Sequence, residues 1–237
     1  MFHDDALRTP MIMTAALATP PATAAAPDDR RPRKASREAR RVQLVEATIE
    51  VLARQGYART TLTEVARVAG LSHGLVNFHF ATKERLLAET LAYLAEEYRA
   101  NWTRALGAAG GRPAERLDAL LRADFEPAIC TPARLAAWCS FWGEAQSRPM
   151  YQATCGAKDD AYNAVLEAIC AGLVAEGGYG GDPVIVARVL RVTIEGVWLD
   201  MMTMAAPYGR DEALRTVHAC AAAFFPRHFD QKGLIAP

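Results

Sequence analysis

Asn77 and Phe78 stand side by side within TLTEVARVAGLSHGLVNFHFATKERLL, the stretch from Thr61 to Leu87. An asparagine amide can bond an adenine edge in bidentate fashion, and an aromatic ring can touch a thymine methyl. His73, four residues before Asn77, can reach a base or a phosphate. Thr61 and Lys83 fall near the expected starts of two helices, where free backbone N–H groups already favour anions. Ser72, Gly74 and His79 complete this polar cluster. Upstream, Arg30, Arg31, Arg33, Lys34, Arg37, Arg40 and Arg41 make a dense basic run. Such a run can neutralise phosphates or enter a minor groove. A solvated tail has the same composition, but the run adjoins the polar cluster, which favours a phosphate-binding arm with Arg40 and Arg41 nearest the cluster.

A second set of residues suits different chemistry. Trp102, Trp138, Phe141, Trp142, Tyr162 and Trp198 supply rings, and Glu144, Glu195 and Asp200 supply charge. A quaternary ammonium offers no hydrogen-bond donor and is held by aromatic faces and a nearby carboxylate. Phe141 with Glu144, and Glu195 with Trp198, are each three residues apart and so share a helix face. Aromatic residues at helical spacing more often build a core, so both readings stand for each residue.

Other chemistries find no support. The five histidines, at 3, 73, 79, 218 and 228, make no pair at metal-ligand spacing. No nucleophile elbow or phosphate loop is present, and the GGYGG of 177–181 lacks both a preceding strand and a Lys-Ser/Thr ending. Catalytic residues, metal sites and cofactors are therefore not expected, and the chain does not read as an enzyme. Five cysteines, an odd number without a close pair, read as reduced and mostly buried thiols.

Helices must position these groups. Thr61 and Glu64 have capping-box spacing. Gly70 can end the helix in the left-handed conformation, Ser72 can cap the next, and Thr82 the one after. Helix, glycine turn, short helix is the helix-turn-helix pattern. Val42, Val45, Ile49 and Leu52 give a preceding helix a core stripe, from about Ser36 until Gly56 stops it. A long helix from Lys83 to about Leu106 leads onward. Segments near 115–125, 132–146, 149–176, 183–206 and 210–225 continue in helical period, with no convincing alternating strand. The fold class is all-α, with about nine helices. Residues 1–35 are expected to be a disordered leader carrying the basic arm, and 36–82 a helix-turn-helix domain. Residues 83–227 should form a helical ligand-binding and dimerisation domain, and 228–237 a tail.

The stretch from Thr61 to Leu87 closely resembles the DNA-binding domain of the TetR family of bacterial repressors. The resemblance rests on Thr61, Glu64-Val65-Ala66, Ala69-Gly70-Leu71-Ser72, Gly74, His79-Phe80, and Lys83-Glu84 before Leu86-Leu87. Most members carry a phosphate-touching tyrosine where this chain has Asn77, which leaves base and phosphate contacts both open there. The segment from Ala137 to Pro149, with Ile194 to Leu199, is similar to the ligand domain of the choline-responsive betaine-synthesis repressors within that family. Asp200 departs from that pattern, which tends to have a base. The resemblance implies a homodimer on a palindromic double-stranded operator, released by a small-molecule effector such as a quaternary ammonium. Regulation by a different apolar or aromatic ligand, or DNA binding without any ligand, are the alternatives.

Composition agrees with two functions in one chain. Net charge is zero over 237 residues, but residues 30–104 hold fourteen bases and eight acids, a balance of +6. Residues 105–237 hold twelve bases and fifteen acids, a balance of −3. A basic segment against an acidic remainder suits a nucleic-acid module joined to a domain with another task. No apolar run reaches the roughly 18 residues of a membrane span, and Asp4 and Asp5 stand where an export signal would carry bases. The expected location is cytoplasmic. The last two long helices, 183–206 and 210–225, carry apolar residues on more than one side, as a subunit interface would require.

Overall fold

The computed structural model describes residues 30–145 and 149–235, with side-chain detail for 36–144 and 149–235. Nine helices and one two-stranded hairpin are found among the described residues: α1 Arg30–Arg59, α2 Leu62–Ala69, α3 His73–His79, α4 Lys83–Ala108, α5 Pro113–Ala123, α6 Pro132–Ala145, α7 Pro149–Gly177, α8 Pro183–Thr203, α9 Arg210–Phe224, then β1 Phe229–Asp230 and β2 Gly233–Leu234. The leader expected over 1–35 lies outside the described residues as far as 29. From Arg30 the chain is already helical, so the basic run is the first three turns of α1 and not a disordered arm. Arg, Lys and Ala are good helix formers and continue the helix that starts the core stripe.

Each cap in the helix-turn-helix forms as the residue types dictate. The Oγ1 of Thr61 accepts from the Glu64 N–H, the Oγ of Ser72 from the Leu75 N–H, and the Oγ1 of Thr82 from the Arg85 N–H. The Glu64 carboxylate does not complete a reciprocal box. It accepts from Gln55 at 2.9 Å and from Arg67 at 2.6 and 3.0 Å, tying α2 to α1. Gly70 has φ 66° and ψ 30°. Its N–H bonds the Arg67 carbonyl, and the Leu71 N–H bonds the Ala66 carbonyl five residues back. That pair of bonds makes a Schellman turn, which a residue with a Cβ would adopt only under strain. Gly56, at φ 75°, breaks α1 before its last turn. Leu44, Val45, Ile49, Leu52, Val65, Val76 and Phe80 bury the apolar sides of α1, α2 and α3 together. Val42 stays 37% exposed and is not part of that stripe.

At 26 residues and 1.5 Å per residue, α4 is roughly 39 Å long, enough to run from the small domain into the large one. A second connection was not foreseen from the sequence. Helix α6 packs along α1. Phe141 of α6 meets Tyr57 edge-on at 5.9 Å. Arg134 of α6 pairs with Glu97 of α4 at 2.7 Å and Glu46 of α1 at 3.0 Å. Tyr93 of α4 donates to the same Glu46 at 2.9 Å.

Within the expected tail of 228–237, residues 229–234 instead turn back as the β1–β2 hairpin, Phe229 opposite Leu234. Phe229 is buried and stacks on His218 of α9 at 6.4 Å. Gly233, at φ 120°, lies so close that an added Cβ would sit 3.0 Å from both Arg122 and His218. Two residues per strand are too few to show alternation, which is why no strand was legible. Of the described residues, no helix is long and apolar enough to cross a membrane.

Candidate functional site

Two regions gather the residues that could do chemistry. In the first, α3 presents one face to the core and one to solvent. Val76 and Phe80 point inward; His73, Gly74 and Asn77 point outward, and Phe78 is 67% exposed. Phe78 is the most exposed of the large apolar side chains among the described residues. The guanidinium of Arg37 lies 5.5 Å from the centre of that ring, so the basic start of α1 borders α3. Arg40 is exposed and bonds Gln43 at 2.6 Å. Arg41 lies over Phe80 at 5.2 Å and pairs with Glu89 at 2.6 Å, so its charge is already partly matched. Thr61 and Ser72 are exposed at their helix starts, and Thr63 holds Nδ1 of His73 at 3.4 Å.

Two of the predicted DNA-binding residues have structural work that the sequence did not reveal. The Nζ of Lys83 donates to the carbonyls of Tyr57 and Ala58, each at 2.9 Å, satisfying the end of α1 beyond Gly56. One of its three N–H groups remains for a phosphate. His79 is half-buried between Phe78 and Phe80, with ring centres 5.3 and 6.5 Å away. Burial, with Arg37 and Arg41 nearby, pushes its pKa down and favours the neutral ring.

The second region is a cavity of about 70 Å³ between α4, α6, α7 and α8. Five predicted ligand residues come together there: Trp138, Trp142, Tyr162, Glu195 and Trp198. Trp142 stacks on Trp198 with ring centres 6.2 Å apart and planes 11° apart. Tyr98 stands edge-on to Trp198 at 5.9 Å and to Trp138 at 6.4 Å. The Nε1 of Trp142 donates to the Tyr151 hydroxyl at 3.1 Å. The result is a box of rings, each fixed by a neighbour.

Three predicted ligand residues are elsewhere. Trp102 is buried behind Tyr162, edge-on at 5.8 Å. Phe141 faces α1 and Tyr57, because it lies two turns from Arg134 and so on the same side of α6. Glu144, further along α6, does not line the cavity. Asp200 also lies apart and accepts from Tyr208 at 3.0 Å. In their place the cavity takes Tyr98, Tyr151, Asp159, Asn163, Arg191 and Ile194. Tyr98 falls at helical spacing with Leu87, Leu91, Leu94 and Trp102 on α4, so nothing in the sequence distinguishes it from core. Asp159 and Arg191 lie amid other charges and give no local signal.

The charges do not balance. Asp159 and Glu195 line the wall, and Arg191 bonds Glu195 at 2.8 Å. Burial pushes Asp159 up to about 6, with Arg191 opposing, and raises Glu195 as well. Behind the rings, Asp124 is buried. It accepts from the Tyr98 hydroxyl at 2.6 Å and the Tyr162 hydroxyl at 3.2 Å, while its backbone carbonyl accepts from Trp198 Nε1 at 3.2 Å. Three acids thus surround a box of rings that holds a single arginine. Such a site offers π faces and negative charge, the two requirements of a bound cation.

Residues 44–90 match the family described as bacterial regulatory proteins, tetR family, and residues 113–226 match the BetI-type transcriptional repressor C-terminal domain. The chain is 29% identical over 198 residues to the HTH-type transcriptional regulator BetI of Paraburkholderia phymatum, covering 78% of this chain and 92% of that one. It is 39% identical over 107 residues to BetI of Rhizobium meliloti, where the match spans 45% of this chain and about half, 52%, of the relative. Among solved structures, a putative transcriptional regulator of Pseudomonas aeruginosa PAO1 superposes with a TM-score of 0.68 at 27% identity, over 81% of this chain and 95% of that one. A putative transcriptional regulator of Saccharomonospora viridis, solved in complex with choline, superposes at 0.67 with 18% identity, over 81% of this chain and 98% of that one, a likeness of fold.

Proposed function

Since this chain belongs to the TetR family of bacterial regulatory proteins and carries a BetI-type C-terminal domain, we propose that it is a homodimeric repressor released from a palindromic operator by a quaternary ammonium, choline being the first candidate. Transcriptional regulation follows from the family; the repressor sense, the ligand and the contacts are the proposal. Helix α3 enters the major groove, with Asn77 on a base edge and Phe78 against a thymine methyl. Arg37, Arg40, Lys83 and the helix starts at Thr61 and Ser72 hold phosphates.

The observation that carries the ligand reading is the imbalance in the cavity: rings on several sides, Asp159 and Glu195 on the wall, Asp124 behind, and one arginine. The choline held by the Saccharomonospora viridis neighbour supports the same class. A dimer is supported by α8. Its core stripe holds Ala187, Leu190, Ile194 and Val197, while Ile185, Val189, Val192 and Leu199 form a second, exposed stripe. An apolar face of that length calls for a partner subunit.

Two elements connect cavity and reader. Helix α4 carries Lys83 at its start and Tyr98 about four turns further on. Helix α6 carries Trp138 and Trp142 toward the cavity and Arg134 and Phe141 toward α1. A ligand that prefers one arrangement of α6 thereby shifts the spacing of the two readers; equal affinity for both would shift nothing. The test is selection of preferred duplexes from a random pool by the purified protein, followed by titration of that complex with choline and with neutral alcohols. Release by choline alone is expected. A selected operator that no cation releases would remove the ligand reading and leave the DNA reading intact.

A further inference from the structure

We propose that Asp124 is the hidden specificity determinant of the cavity, and that entry of a cation between the rings is coupled to release of one proton from Asp124 to solvent. The inference rests on the cation-binding reading above and adds the residue that enforces it.

Asp124 caps the end of α5 and touches three of the box's rings at once, from three different helices. Its two carboxylate oxygens take the hydroxyls of Tyr98 (α4) and Tyr162 (α7), and its backbone carbonyl takes Trp198 (α8). It is a positioning residue, because it stands behind the rings and does not line the cavity. Buried carboxylates elsewhere pair with a cation; here, among the described residues, both oxygens accept from phenols. The groups facing it offer little positive charge. Helix α4 brings Tyr98, α7 brings Tyr162, α8 brings Glu195 with Arg191 already bonded to it, and the loop after α5 brings Cys130, which also feels Arg210 at the start of α9. Burial pushes the Asp124 carboxyl up to about 7, the two phenol hydrogen bonds opposing and Glu195 reinforcing. The acid is therefore poised between its two forms, and a fixed positive charge on the far side of Tyr98 and Trp198 favours the ionised one. A neutral ligand of the same shape does not.

The experiment is calorimetry on the full chain with choline and with 3,3-dimethylbutan-1-ol, its uncharged carbon isostere, from about pH 5.5 to 8.5 in buffers of different protonation enthalpy. Choline affinity should climb by up to about tenfold per pH unit on the acid side of about 7 and then level, with up to one proton released. The alcohol should show neither effect. Asp124→Asn keeps the shape and should lose the step near 7, together with roughly tenfold or more of the preference for choline over the alcohol at neutral pH. Asp159→Asn should retain that step. Where Asp124→Asn does not fold, Tyr162→Phe removes one phenol donor and should move the step to higher pH. A step left unchanged in Asp124→Asn, or unmoved in Tyr162→Phe, overturns the role of Asp124 while leaving cation binding in place. Failure of choline and tetramethylammonium to bind the wild-type protein at millimolar concentration overturns both readings.

Discussion

The two candidate sites are built in opposite ways. Apart from the basic start of α1 that borders it, the reader lies within one contiguous stretch, Thr61 to Lys83, and its shape comes from local rules: three caps, one left-handed glycine and a seven-residue helix with a wet face and a dry one. The cavity draws on α4, α6, α7 and α8, from Tyr98 to Trp198, and its decisive acid comes from the end of α5. Local sites tolerate loss of a contact without loss of fold, because their functional side chains face water. Distributed sites are made of core residues, so binding and stability are read from the same atoms.

That contrast can be broken by experiment, the largest effect first. Trp198→Ala removes a buried ring that bonds Asp124, and should cost about 3–5 kcal/mol of stability, read by denaturant unfolding. A folded variant of wild-type stability would show that the box is not part of the core. Arg134→Ala leaves Glu46 and Glu97 without their shared cation and should cost about 1.5–3 kcal/mol. If α6 transmits ligand binding, the variant should also respond less to choline in an operator-release titration; unchanged release would leave α4 as the route. Asn77→Ala, by contrast, should leave the melting temperature alone and weaken cognate operator binding by about 1–3 kcal/mol, with random duplex binding nearly intact. Equal losses on both duplexes would make Asn77 a phosphate contact. Thr61→Ala deletes one cap and should cost about 1 kcal/mol, a shift of a few degrees in melting.

The pH dependence of stability sharpens the same comparison. Asp124 holds its proton in the folded chain up to about 7, whereas an ordinary aspartate releases it near 3.8. Folded chains thus bind more protons than unfolded ones across that window, so the contribution of Asp124 to stability declines as pH rises from about 4 to 7. Measured against Asp124→Asn, the wild-type protein should lose stability over that range, and choline should restore it. A flat difference would mean that the carboxylate is ionised throughout.

How far the sequence could be read follows from the same difference. Helix count, the caps at Thr61, Ser72 and Thr82, and the turn at Gly70 were legible because each depends on neighbours within five residues. The outward display of Asn77 and Phe78 followed from helical period alone. The cavity was half legible. Trp138, Trp142, Tyr162, Glu195 and Trp198 have the right chemistry, but the same chemistry marks Trp102, Phe141 and Glu144, which went elsewhere. The hairpin at 229–234 was invisible, since it depends on Phe229 reaching a hole beside α9.

By itself, then, the chain's order of residues determined which segments coil, where they start and stop, and which side of the short third helix meets water. Those are short-range matters of hydrogen-bond satisfaction and period. Tertiary structure decided which rings share a space, that Arg134 and Lys83 brace one helix against another, and that an acid after α5 lies behind the rings of α4, α7 and α8. Those depend on where helices cross, and no local pattern encodes the burial that lifts Asp124 toward neutrality.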